Sequence, residues 1–137
     1  NGHFDCTFKN GYSIPQLKNG DKYYSKKLIN LALDESEDSN ILLKKGKYCW
    51  TFGPNYETPA EINFFRSIGG DSVGMSTVPE IEFASNLDMN ILVISALTNF
   101  ASGISDKLLS HEEVLFNANK IQNNFTKLLL GIINNIN

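Results

Sequence analysis

An α/β fold is predicted by three features of the 137-residue sequence. Short apolar segments of the kind that form strands alternate with segments whose apolar residues step by threes and fours, the period of a helix. One strand-like segment, ILVISALT at 91–98, is a continuous apolar run suited to a strand covered on both faces. Helix-start chemistry is also present. Thr58, Pro59 and Glu61 supply N-cap, N1 and N3 for one helix, and Ser110 with Glu113 makes a capping box for another.

Taken in order, residues 1–21 are rich in Gly, Asn and Pro, hold no sustained period, and read as loop with at most one short strand. KYYSKKLINLAL at 22–33 predicts a short amphipathic helix with Tyr24, Leu28 and Leu31 on one side. The acidic DESEDSN at 34–40 reads as a solvated linker. ILLKKGKYCWTF at 41–52 reads as two extended pieces joined by a Lys-Gly-Lys turn. Next come a helix at 58–68, a small-residue strand at 72–78, a helix at 79–88 and the apolar strand at 91–98. A long helix closes the chain, with Val114, Ala118, Ile121, Phe125, Leu128, Ile132 and Ile136 on its apolar face, expected to lie on a sheet. There is no internal repeat, and the length suits a single domain or part of one.

Composition narrows the function classes. With 12 basic and 15 acidic residues, the net charge of -3 gives no general attraction to nucleic acid or an acidic membrane. Arg66 is the only arginine, so the usual two-pronged clamp for phosphate or carboxylate is scarce. No signal peptide is evident, and no apolar run approaches the roughly 18 residues of a membrane span. Cys6 and Cys49 lie far apart without metal-site spacing, which predicts free thiols in a reducing cytoplasm. His3, Asp5 and Cys6 lack the remaining ligands of a metal site, and NFT at 124–126 reads as an accidental sequon within a helix. The start at Asn1 rather than methionine points to trimming or an upstream part.

Ligands of open α/β sheets collect beyond the carboxyl ends of the strands. Three segments leave a predicted strand with polar residues there: Tyr56-Glu57, Met75-Ser76-Thr77 and Thr98-Asn99. Each has an ordinary reading. Glu57 complements a helix dipole, Met75 fills core, and Ser76 and Thr77 are small polar residues at a strand end. Asn99 is a turn residue, and His111 decorates a helix start. Their shared position is what argues for a pocket.

GPNYETPAEI, SIGGDSVGMSTVPEIEFA, LVISALTNFASG and LSHEEV follow one another in this order. Together they resemble the C-terminal half of the trimeric purine nucleoside phosphorylases. The family-like region is 41–137, clearest from Tyr48 onward and looser back to Tyr12. The resemblance implies a mixed, distorted sheet with flanking helices, of the phosphorylase/hydrolase-like kind, in a cytoplasmic homotrimer. It also implies phosphorolysis of purine nucleosides to free base and ribose 1-phosphate, with inorganic phosphate as co-substrate and no cofactor.

By position, Glu57 resembles the carboxylate that accepts from the purine N1 and 2-amino side, and Asn99 the amide that donates to O6 or N7. Tyr56 resembles an aromatic flanking sugar and base, Met75 packs under the ribose, and Ser76 offers its hydroxyl to phosphate. His111 resembles the histidine near the ribose 5′-hydroxyl, while Val73 and Thr98 line the base pocket. In this family an aspartate at the Asn99 position marks 6-aminopurine substrates, so Asn99 implies inosine and guanosine. The alternatives are an enzyme like methylthioadenosine phosphorylase and an inactive purine-binding protein. The family's glycine-rich loop with its serine, and its phosphate-binding histidine and arginine, cannot be placed in this sequence. The expectation is therefore a base-and-ribose half-site that needs a separate N-terminal half. Phe4 and Phe8 are candidates for the phenylalanine that the family lends to a neighbouring pocket.

Overall fold

The computed structural model describes residues 23–105 and 110–136. Its elements are α1 (Lys26–Asp38), β1 (Tyr48–Trp50), α2 (Pro59–Ser67), β2 (Ser72–Gly74), α3 (Val78–Asn86) and α4 (His111–Asn134). β1 and β2 pair in parallel across the α2 connection, with Tyr48, Cys49 and Trp50 opposite Ser72, Val73 and Gly74. The α/β alternation is as the sequence predicts. The expected mixed sheet is not formed among the described residues, whose sheet is this parallel pair.

The start of α2 is fixed by the expected residues. The Thr58 hydroxyl accepts from the Glu61 amide at 3.3 Å, and Glu61 Oε2 accepts from the Thr58 amide at 2.7 Å. Pro59 occupies the first turn, where its missing N–H costs nothing. The hydrogen bond from the Thr58 backbone, then that from its hydroxyl, holds the Glu61 carboxyl below its ordinary value. A carboxylate with a depressed folded pKa contributes stability above its unfolded pKa, and that contribution is lost as pH falls through the folded value. The stability difference between the parent chain and Glu61→Gln should therefore be measurable by urea unfolding at neutral pH and fade on acidification. A gap that stays constant down to full protonation of the carboxylates would contradict this account.

α1 begins at Lys26 behind its N-cap Ser25 and runs to Asp38. The segment expected as an acidic linker at 34–40 is thus mostly helix. The reason is that its inner face continues through the charges: Ala32 and Ser36 are both buried, four residues apart. The Ser36 hydroxyl donates to the Leu33 carbonyl at 2.7 Å, so its burial leaves no unpaired donor. Glu35 accepts from Asn135 at 2.6 Å. α1, α2 and α3 share one stop device. Asn40 (φ 53), Gly69 (φ 83) and Asp88 (φ 53) take positive φ just past each helix. The following amides of Ile41, Gly70 and Met89 donate back to Ser36, Phe65 and Ala84. This is the Schellman arrangement, occupied by the residue types that tolerate it.

Two expected strands are shorter than their apolar runs. The strand expected at 72–78 ends at Gly74, and the one expected at 91–98 survives as a single parallel bridge from Tyr24 to Ile91. Residues 41–47 join no ladder. Apolarity reports burial, but a strand also needs a neighbour for its backbone N–H and C=O groups, which a local pattern does not specify. Leu92 and Ile94 are partly buried against the helices instead. Ile136 lies beyond the end of α4.

The core is in two parts. Ala32, Leu128 and Ile132 join α1 to α4, with Leu31, Ile41, Leu43, Leu92 and Ile94 around them. Cys49, Ile62 and Phe65 join β1 to α2, flanked by Val73 and Ala101. At Gly131, where α1 packs on α4, a Cβ would meet the Glu35 carboxylate, the movable end of a flexible side chain. Trp50 is buried, its ring 4.4 Å from that of Phe52, and its indole nitrogen has no hydrogen-bond partner among the described residues. Cys49 is a free, buried thiol whose pKa is raised by burial and, second, by the charge of Asp71. His3, Asp5, Cys6, Phe4 and Phe8 lie outside the described residues. No described helix is long and apolar enough to cross a membrane.

Candidate functional site

The carboxyl ends of β1 and β2 define the site. Thr51 prolongs β1 by donating its amide to the Gly74 carbonyl at 3.0 Å, and the chain then leaves the sheet through Gly53 and Pro54. Gly74 ends β2, and Met75, Ser76 and Thr77 turn the chain into α3. This turn is strained. Thr77 has φ 84 and ψ -42, and the Val78 amide donates to the Ser76 carbonyl at 3.0 Å. It is a γ-turn of the rare kind, centred on a β-branched residue; such conformations cost roughly 1–3 kcal/mol and concentrate at functional sites. Two contacts hold it. The Tyr48 hydroxyl donates to the Ser76 carbonyl at 3.0 Å, and the Tyr48 ring occupies the space a Cβ at Gly74 would need. The hydroxyls of Ser76 and Thr77 are 3.1 Å apart.

An open cleft of about 370 Å³ lies along this turn, lined by Tyr48, residues 72–77, residues 94–97 and Phe125 of α4. Of the expected site residues, Val73, Met75 and Ser76 line it. Tyr56, Glu57, Thr98 and Asn99 do not line it; they stand in the loops that follow β1 and the 94–97 segment. The thioether of Met75 sits where a Cβ at Gly53 would point, so the loop before Tyr56 and Glu57 abuts the β2 exit. Glu57 is half-buried, and its Oε1 accepts from the Thr51 hydroxyl at 2.6 Å. Tyr56 is 44% exposed.

The loop after residue 98 is brought to the same place. A Cβ at Gly103, itself at φ 74, would lie 2.8 Å from Pro59 Cβ, and Ala101 packs on the β1–α2 cluster. The 101–104 turn, which follows Asn99 in the chain, is thus seated on the helix start that directly follows Glu57. The Asn99 amide is oriented by two neighbours. The Thr98 hydroxyl donates to Oδ1 at 2.8 Å, and Nδ2 donates to the Phe100 carbonyl at 3.0 Å. A carbonyl only accepts, so the nitrogen must face Phe100, and its second N–H has no partner among the described residues. Asn117 of α4 donates to the Thr98 carbonyl at 2.7 Å and fixes this segment from behind. His111, at the start of α4, is exposed, does not line the cleft, and its side chain has no hydrogen bond to a described residue.

Tyr48, Thr51, Asn117 and Phe125 have site roles that the sequence reading did not assign. Asn117 was detectable as a polar residue three positions after Val114, on the inward face of an amphipathic helix. For Thr51 and Tyr48 no local signal existed, because both act across loops.

The Phosphorylase superfamily model matches residues 2–134. The chain belongs to the phosphorylase superfamily. Within that superfamily it is 46% identical over 110 residues to purine nucleoside phosphorylase 1 of Bacillus subtilis (strain 168), covering 80% of this chain and 41% of the relative. It is 42% identical over 89 residues to the 6-oxopurine nucleoside phosphorylase of Pyrococcus furiosus, covering 65% of this chain and 34% of the relative. A crystal structure of Schistosoma mansoni purine nucleoside phosphorylase with inosine superposes with a TM-score of 0.81 at 31% identity, over 86% of this chain and 43% of that one. This superfamily member thus spans less than half the length of each of these relatives.

Proposed function

We propose that the chain forms the base-and-ribose side of a 6-oxopurine nucleoside phosphorylase, corresponding to the C-terminal half of the family fold. The observation that supports this reading is the packing of the 101–104 turn, just after Asn99, on the α2 start just after Glu57, so that the loops carrying an amide donor and a carboxylate acceptor meet. Similarity to inosine- and 6-oxopurine-named relatives supports the same substrate class.

The chemistry suits these groups. As the glycosidic bond breaks, C1′ becomes cationic and the purine ring gains negative charge. The free N–H of Asn99 meets charge at O6 or N7 that grows only in the transition state, so its contribution falls on kcat. Glu57 accepts from N1–H; a purine lacking that proton leaves a half-buried acceptor unpaired. Val73, Met75, Tyr56 and Thr98 form the apolar and flanking surfaces around base and ribose; His111, which stands outside the cleft lining, is assigned to the ribose 5′-hydroxyl by its family position alone. The Ser76 hydroxyl, beside the N-terminal end of α3, takes one phosphate oxygen.

One hydroxyl does not orient an anionic nucleophile, and Arg66 lies in the last turn of α2, away from the strand ends. The remaining phosphate ligands come from a separate N-terminal half, within a cytoplasmic homotrimer. The test is phosphate-dependent release of hypoxanthine from inosine. The isolated chain should show no significant turnover, and supplying the rest of the family fold should restore it. Robust activity from the isolated chain would overturn the half-site reading, and faster cleavage of adenosine than of inosine would overturn the role of Asn99.

A further inference from the structure

We infer that Thr51 is a specificity-determining residue that engages one oxygen of Glu57 and thereby biases the site toward 6-oxopurines without a 2-amino group. The inference rests on the proposed role of Glu57 as the base acceptor.

Thr51 is placed by the sheet, not by its side chain. Its amide donates to Gly74 at 3.0 Å, continuing the β1–β2 ladder, so its hydroxyl emerges at a fixed point at the strand end. From there it donates to Glu57 Oε1 at 2.6 Å, in the short range of hydrogen bonds to a charged acceptor. Both residues are half-buried, which limits competition by water. The bond spans the loop through Gly53 and Pro54 and closes it on itself.

The two 6-oxopurine bases ask different things of a carboxylate. The hypoxanthine edge offers N1–H alone. The guanine edge offers N1–H and an N–H of the 2-amino group, side by side, which fit both oxygens of a carboxylate lying in the base plane. With Oε1 already bound to Thr51, the carboxylate plane is set by the protein, and Oε2 is the oxygen left fully available. One acceptor serves hypoxanthine completely. Guanine must share Oε1 with the threonine proton or leave its amino group without this partner, and a mismatch of that kind is penalised.

Calorimetric titration of the chain with inosine and guanosine tests this, comparing the parent with Thr51→Val and Thr51→Ser. Valine keeps the β-branched shape and removes the hydroxyl, while serine keeps the hydroxyl. The parent and Thr51→Ser should favour inosine over guanosine by about 3- to 10-fold, the span of one hydrogen bond. Thr51→Val should bring the two affinities together, mainly by improving guanosine. Thermal unfolding of each variant confirms that the fold is retained. If both nucleosides bind and their ratio is the same in all three proteins, the role of Thr51 is overturned while the proposed function stands. If neither nucleoside binds the parent chain, the base-site reading fails and this inference fails with it.

Discussion

Asn99→Ala is expected to lower kcat for inosine phosphorolysis by about 10²–10³-fold in the completed enzyme, the loss typical of removing one oriented transition-state donor. The size follows from how little the amide has left to reorganise. Thr98 holds its oxygen, Phe100 takes one of its N–H groups, and Asn117 anchors the Thr98 carbonyl at 2.7 Å. A donor held in this way gains most when negative charge appears on the purine. KM should therefore change much less than kcat. Steady-state kinetics with inosine decides the matter; an alanine variant with kcat within a few-fold of the parent would reduce Asn99 to a turn residue.

Ile132→Ala should destabilise the chain by about 2–5 kcal/mol, as large-to-small changes at fully buried sites do. Ile132 is 2% exposed and packs with Ala32 and Leu128 where α1 meets α4. The neighbouring Ile133 is 53% exposed, and its alanine variant should fall within about 0.5 kcal/mol of the parent. Urea unfolding of the pair separates burial from side-chain identity, and equal effects would place the α1–α4 contact elsewhere. The change should also loosen the cleft wall at Ile94, which rests on the same cluster.

The features legible in the sequence were those set by a few adjacent residues. Thr58, Pro59 and Glu61 announce α2, and Ser110 with Glu113 announces α4, because a cap is a contact over three positions. The strand-end residues could be gathered into one candidate site because the alternation of strands and helices dictates which ends face the same way. Misreadings arose where a distant neighbour decides. Charge suggested a linker at 34–40, but burial of Ser36 against the helical core carried α1 through it. The apolar run at 91–98 suggested a strand, but of this run only Ile91 forms a strand bridge among the described residues. The hold of Thr51 on Glu57 and of Asn117 on the 98–99 backbone depends on loops meeting in space. No window of sequence contains either.

The division of the core also has a kinetic side. Two small apolar clusters, one between α1 and α4 and the other between β1 and α2, share no buried residue, so amide protons in the two regions should exchange with solvent through separate openings of different free energy. The segment from Leu92 to Ala101 touches both. Leu92 and Ile94 belong with the first cluster and Ala101 with the second. Asn99 therefore sits on a tether between two cooperative units, and its hydrogen-bond geometry is kept only while both are closed. Proton exchange at Thr98–Phe100 should follow whichever unit opens more often.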